Sequence, residues 1–318
     1  MAARILDGES LAAQIRESLA RRVEELVAAG GERARPGLGT VLVGDDGPSA
    51  RYVAMKHVDC AQVGIESVHA HLPASTTQEE LGRTIARFNA DPKVDAYLVQ
   101  VPLPDGLDEE KALMAVDPEK DVDGLHPVNL GRLVMGGNGP VPCTPGGIVD
   151  LLVANDVPIE GRHVVIVGRG LTIGRPLALL LALKRPNCNA AVTVVHTGVA
   201  DLGSFTVRAD IIVAAAGQAG LITPDMVKPG AAVVGAGVSR DGKKVLSDVD
   251  ESVAEVAGWI TPRLGGVGPM TRARLLVNAV AAAERRVAAV AAAERRVAAE
   301  AADRGGRAAA DRGGAGGS

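Results

Sequence analysis

The sequence predicts an α/β protein, folded as two α/β domains with a cleft between them. Three observations predict it. Short apolar runs alternate with stretches of helical periodicity, and that alternation builds parallel sheets covered by helices. A passage rich in Gly and Pro over residues 117–145 separates two such series. In the second series an apolar strand runs directly into Gly168-Arg169-Gly170-Leu171-Thr172-Ile173-Gly174 and then a helix opened by Arg175-Pro176. That order makes the second domain a Rossmann-type dinucleotide-binding domain.

The opening element is an amphipathic helix over 11–27, where Leu11, Ile15, Leu19, Val23, Leu26 and Val27 recur at helical spacing and Gly30-Gly31 stop it. A strand at 38–43, a helix at 49–63, a strand at 65–72, a helix at 78–88 and a strand at 94–101 complete the first series. After the boundary a helix over 147–154 leads into strands at 163–167, 192–195, 211–215 and 231–234. The final helix begins near Pro269 and is expected to return to the first domain. The expected division is therefore 1–142, completed by a helix at 270–285, then 143–269. Residues 286–318 change character. The ten letters AVAAAERRVA at 279–288 recur at 289–298, and ADRGG appears at 302 and again at 310. Ala, Glu and Arg favour helix while Gly305, Gly306 and Gly313 oppose it, so a solvated helical extension fraying into a disordered tail is expected.

Composition narrows the function. A chain that is 47% hydrophobic and 23% charged can bury sizeable cores and is not disordered. Aromatics are 2%, so Val, Ile, Leu and Ala must fill those cores, and a polar aromatic draws notice. The net charge of −4 shows no basic footprint for nucleic acid or anionic lipid. Small-molecule partners are expected, with no nucleic acid and no membrane. Cys60, Cys143 and Cys188 are odd in number and widely spaced, which argues against disulfides and zinc and fits a reducing cytoplasm. No signal-peptide order and no bilayer-spanning apolar run are present.

The glycine turn lets backbone approach a pyrophosphate, while the helix start offers free N–H groups to the anion. Alone, such a turn is also a plausible structural bend. The next strand sharpens the reading, because it ends in His196-Thr197-Gly198 with no carboxylate at its tip. An acid there serves the ribose hydroxyl of NAD and would repel a 2′-phosphate. Arg169 and the Thr197 hydroxyl suit that phosphate, so NADP is the expected cofactor.

In the first half, Tyr52 and Lys56 stand four apart on one helix face. A strand tip reads Val99-Gln100-Val101-Pro102-Leu103-Pro104, setting a polar amide where open α/β sheets bind ligands. Then follows Lys120-Asp121-Val122-Asp123-Gly124-Leu125-His126-Pro127. Its two acids lack companions at ligand spacing, so no metal is expected, and His126 before a proline reads as structural.

These segments resemble the bifunctional methylenetetrahydrofolate dehydrogenase/cyclohydrolase family. SARYVAMK, VQVPLP, KDVDGLHPVNLGRL, PCTPGGIVDLL, GRGLTIGRP and GGVGPMT occur in its order and spacing, and the likeness covers nearly all of residues 1–285. The resemblance implies oxidation of 5,10-methylenetetrahydrofolate with NADP, then hydrolysis of the methenyl product to 10-formyltetrahydrofolate, and a homodimer. It implies that Lys56 is the central catalytic residue, that Tyr52 stacks near the folate, that Gln100 holds the Lys56 amine and that Asp123 anchors the pterin. Val99, Leu103, Gly265, Gly266 and Pro269 would complete the tetrahydrofolate site. Gly168, Arg169, Gly170, Thr172, Ile173, Gly174, His196, Thr197 and Val238 would hold the nucleotide. Four positions depart from the family's usual letters: Gly170 for Ser, Leu264 for Pro, Gly235-Ala236 for Asp-Val, and Ser247 for Gly. They fall mainly on the nucleotide side, where loss of an acid at 235 removes a group that could organise a loop. They motivate a second reading, a cyclohydrolase with weakened or absent dehydrogenase activity; a non-catalytic folate- or NADP-binding protein, with the Ala/Arg tail as an interaction element, is a third.

Overall fold

The computed structural model describes residues 3–242 and 244–313, with the side chains of Arg240 and 298–313 left aside. The chain opens with β1 (Arg4–Ile5) and α1 (Gly8–Gly30), whose first amides, of Glu9 and Ser10, donate to the Asp7 carboxylate at 3.0 and 3.1 Å. β2 (Gly37–Val43), α2 (Gly47–Val63), β3 (Glu66–Leu72), α3 (Gln78–Ala90) and β4 (Ala96–Val99) then build a three-stranded parallel sheet in the order β3-β2-β4. Central β2 is buried along its whole length, which is why it reads as a continuous apolar run and not as an alternation. Thr77 and Glu80 form a reciprocal capping box at the start of α3.

The turn-rich passage holds two short helices, α4 (Glu109–Met114) and α5 (Pro127–Val134). α6 (Cys143–Ala154) starts four residues before the expected helix. Its Pro145 lies in the first turn, where a missing N–H costs nothing, so a segment with breaker-rich letters still winds.

The second unit contains β5 (His163–Val167), α7 (Gly174–Ala182), β6 (Ala191–Val195), α8 (Gly203–Thr206), β7 (Ile211–Ala214) and β8 (Ala232–Gly235). A hairpin of β9 (Val238–Asp241) and β10 (Lys244–Ser247) follows, then β11 (Trp259–Ile260) and the long α9 (Val267–Gly313). The six-stranded sheet is parallel throughout, ordered β1-β11-β8-β7-β5-β6. Strand order reverses between β5 and β7, with β6 on the far side of β5. Such a switch point opens a ligand crevice at the carboxyl ends of the strands.

Two findings differ from expectation. β1 belongs to the second sheet, through Arg4↔Trp259 and Ile5↔Ile260, although it lies in the sequence expected to build the first domain. A two-residue strand carries no readable period. α9 does return to the first unit, where Leu275, Leu276 and Ala279 pack with Leu19, Val23 and Cys60. It also enters the second core, since Met270 and Ala273 pack with Leu6, Ala12 and Ile148. The helix continues through Gly305 and Gly306 to Gly313, helix-favouring alanines on both sides outweighing the two glycines. The expected disordered end, residues 314–318, lies outside the described residues. Among the described residues, no helix is long and apolar enough to cross a membrane.

Candidate active site

Lys56 sits on α2, which Asp46 caps by accepting from the Ser49 amide at 2.9 Å. Its Nζ donates to Gln100 Oε1 at 3.0 Å. Gln100 is itself immobilised: its Nε2 donates to the Val101 carbonyl at 2.7 Å, and its backbone amide donates to Val41 O at 2.8 Å. β4 ends at Val99, short of the expected 101, and Gln100 is the first residue past the strand. Burial pushes the Lys56 amine below the ordinary lysine range, against the opposing field of Asp123. Burial raises the Asp123 carboxyl, with Lys56 opposing. The two groups therefore share one poorly solvated site.

The loop carrying Asp123 is pinned on several sides. The Asp121 carboxylate accepts from the amides of Gly124 (3.1 Å) and His126 (2.9 Å) and from Asn129 Nδ2 (2.9 Å). Gly124 has φ +72, and a Cβ there would meet Pro142 N at 2.7 Å. Asn278 of α9 donates to the carbonyls of Val122 and Val141, each at 2.9 Å. The amide of Cys143 donates to Asp123 O at 3.2 Å, and burial holds the Cys143 thiol well above its usual range. Asp121, Cys143 and Asn278 were outside the sequence-based site set: the partners of Cys143 and Asn278 are backbone groups distant along the chain, and Asp121 read only as half of an isolated pair of acids. His126 caps α5, its Nδ1 accepting from the Val128 amide at 3.2 Å.

Tyr52 lies one turn from Lys56 and is 45% exposed, leaving its ring free to stack. Val99 is buried in the core of the first sheet with Val41 and Tyr97, and Leu103 packs against that core. Gly265 takes φ +81, and its carbonyl accepts from the Glu9 amide at 2.9 Å. Gly266 abuts Gly8, where a Cβ would come within 1.8 Å of Gly266 O. Pro269 is half-buried in the first turn of α9. Gly265 and Gly266 thus lie where α1, α9 and the second sheet meet.

At the switch point, Gly168 has φ +136, and a Cβ on it would strike Ala215 O at 2.2 Å. A Cβ on Gly174 would strike Gly168 O at 2.1 Å. Both glycines are therefore required by close backbone approach. Between them Arg169, Gly170 and Thr172 are exposed, and Ile173 is half-buried at the start of α7. The space at Gly170 is open. Past β6, His196 Nδ1 accepts from the Gly198 amide at 3.1 Å, and Thr197 is exposed beside it. Val238 is 57% exposed at the start of β9. A tight glycine turn, a helix start and a strand tip without an acid fit a dinucleotide bearing a 2′-phosphate. Among the described residues no group of three or more His, Cys, Asp or Glu side chains is arranged to hold a metal.

Two family descriptions match the chain. "Tetrahydrofolate dehydrogenase/cyclohydrolase, catalytic domain" matches residues 6–123, and "Tetrahydrofolate dehydrogenase/cyclohydrolase, NAD(P)-binding domain" matches residues 142–287. The chain is 58% identical to the bifunctional protein FolD of Syntrophotalea carbinolica over 286 residues, 90% of this chain and 98% of that protein. It is similar to the crystal structure of the bifunctional FolD methylenetetrahydrofolate dehydrogenase/cyclohydrolase of Campylobacter jejuni, with TM-score 0.85 and 41% identity over 90% of this chain and all (100%) of that one. A Trypanosoma brucei methylenetetrahydrofolate dehydrogenase-cyclohydrolase, solved with NADP and an inhibitor, matches with TM-score 0.84 and 38% identity over 90% and 99% of the two chains.

Proposed function

Because this chain belongs to the tetrahydrofolate dehydrogenase/cyclohydrolase family, we propose that it carries out two successive steps on one folate. The protein oxidises 5,10-methylenetetrahydrofolate to 5,10-methenyltetrahydrofolate with NADP and hydrolyses that product to 10-formyltetrahydrofolate. The observation that carries the reading is the Lys56–Gln100 contact at 3.0 Å, with burial favouring the neutral amine beside Asp123.

When bound, NADP accepts the hydride that leaves the one-carbon bridge. The chain's own residues do the rest. Asp123 accepts from the pterin amino and ring N–H donors, which fixes the folate's orientation. Tyr52 stacks near its ring system. The methenyl carbon is cationic, so it adds like-charge repulsion to the burial that already favours an unprotonated Lys56. The neutral amine, directed by Gln100, then takes a proton from the water that attacks this carbon. Arg169, Thr172 and Thr197 would receive the nucleotide phosphates, the Gly168 and Gly174 backbone would permit the close approach, and His196 and Val238 would flank the nucleotide. Val99, Leu103, Gly265, Gly266 and Pro269 enclose the folate.

We assign residues 6–142 with α9 to the folate unit and 143–266, with β1, to the nucleotide unit. The working protein is a cytoplasmic homodimer in this reading, and its product serves purine, methionine and histidine biosynthesis. Light scattering tests the dimer. For the cofactor, spectrophotometry with methylenetetrahydrofolate should show faster reduction of NADP than of NAD. Arg169→Ala should weaken NADP selectively, since a charge-assisted phosphate contact is worth ~1.5–3 kcal/mol, or roughly a tenfold to hundredfold change. Equal losses for both nucleotides would remove Arg169 from the 2′-phosphate site.

A further inference from the structure

Asp248, the residue after β10, is fully buried and has no part in the chemistry above. Its Oδ2 accepts from the amides of Ala216 (2.6 Å) and Gly217 (2.9 Å), just past the end of β7. A Cβ on Gly237, in the turn between β8 and β9, would come within 2.0 Å of the same oxygen. Asp248 therefore ties together three segments at the carboxyl edge of the second sheet, its carboxylate holding the β7 exit and its own amide, beyond β10, donating to Gly237 O of the β8–β9 turn at 3.3 Å. The β7 exit is also the wall of the glycine turn, because Ala215 O is the atom that forbids a side chain at Gly168. The other oxygen, Oδ1, is buried without a hydrogen-bond partner. The two charge-assisted amide bonds hold the group in place against that cost.

Beside Asp248, the place of a side chain at 235 is already filled. A Cβ on Gly235 would meet Ser247 Oγ at 2.6 Å, Val249 Cγ2 at 3.3 Å and Thr261 Oγ1 at 3.5 Å. Neither hydroxyl is free to swing away. Ser247 Oγ accepts from the Val249 amide at 3.2 Å, and Thr261 Oγ1 accepts from the Gly235 amide at 2.8 Å. A side chain at 235 would force Ser247 to move, and the loop an acid there might have organised is organised from 248.

We propose that Asp248 is the positioning residue for the nicotinamide half of the cofactor, and that Gly235 and Ser247 form a matched pair sealing the wall next to it. The β6 tip serves the adenosine end of a dinucleotide, so the other half extends from the Gly168 turn across β7 and β8, where these residues lie. The inference rests on the nucleotide reading above and changes its outlook: the missing acid at 235 leaves dehydrogenase function intact.

Three measurements test it. In Asp248→Asn, hydrogen exchange at the Ala216 and Gly217 amides of the nucleotide-free protein should quicken. Calorimetric binding of NADP should weaken roughly tenfold or more, the loss of a charge-assisted bond, while hydrolysis of added methenyltetrahydrofolate is retained. Unchanged exchange, unchanged NADP affinity, or parallel loss of both activities with melting temperature would overturn the positioning role. Should Asp248→Asn fail to fold, Gly235→Ala and Gly235→Ala/Ser247→Gly carry the test: the single variant should weaken NADP and the double variant recover it. No recovery would overturn the matched pair. A wild-type protein that binds no NADP would instead defeat the cofactor reading, and the exchange data would still report on Asp248.

Discussion

Lys56 is held between two influences, burial that strips its proton and a neighbouring carboxyl that favours keeping it. Burial is the larger, so the neutral amine is reached at lower pH than for a solvated lysine at ~10.4. The sign follows directly: hydrolysis should fall as pH drops through this depressed value, and the acid limb of kcat for added methenyltetrahydrofolate should lie below the ordinary lysine range. Lys56→Ala should lose about 10²–10⁴ in rate, the usual share of a general base. Lys56→Arg should fail equally, because a guanidinium stays protonated. Near-wild-type turnover by either variant would sink the assignment. That Lys56 and Gln100 meet, with Asp123 nearby, was legible through the family resemblance of their short motifs. Asn278 was not, since it reaches Val122 O across 156 residues of sequence and its own surroundings are plain helix.

Among the elements, α1 and α3 were readable as apolar helical runs, α1 with its Gly30-Gly31 stop, whereas the first four residues of α6 hid behind Pro145 and Gly146. The β9–β10 hairpin and β11 escaped notice because strands of two to four residues offer too few letters for a period. α9 shows where an element stops mattering to the core. Arg22 makes a double contact with Glu284, at 2.8 and 2.9 Å, and Arg286 joins α9 to the buried Asp95 and to Arg33 O at 2.8 Å. One turn farther on, Val290 is 51% exposed, and Val297 is 65% exposed. Truncation after Arg286 should therefore leave melting temperature and both activities largely unchanged. Arg286→Ala in the full chain should cost on the order of 3 kcal/mol by stranding the Asp95 charge, although Gly37 N still donates to it at 2.8 Å. Denaturant unfolding of the two proteins would decide, and the reverse order of damage would show that the repeat packs.

For the whole molecule the two-unit plan was legible from the turn-rich passage, but the way the units are tied together was not. Gly8 is the tightest point of that tie, with Gly266 O in the position its Cβ would need and Glu9 N bonded to Gly265 O. Gly8→Ala should push the 265–266 loop away from α1 and raise KM for the folate in both reactions together, unlike Arg169→Ala, which should spare hydrolysis. A Gly8→Ala protein with unaltered KM values would show that this loop does not shape the folate site. The same amino end carries a consequence for biosynthesis. β1 pairs with β11, and α1 packs on α9, so both elements find these partners only much later in the chain. Neither unit is complete before α9 has been synthesised. Contacts so far apart are slow to form, and the nascent α1 waits with Leu19 and Val23 covered only in part, by Leu38, Cys60 and Val63, until α9 is made.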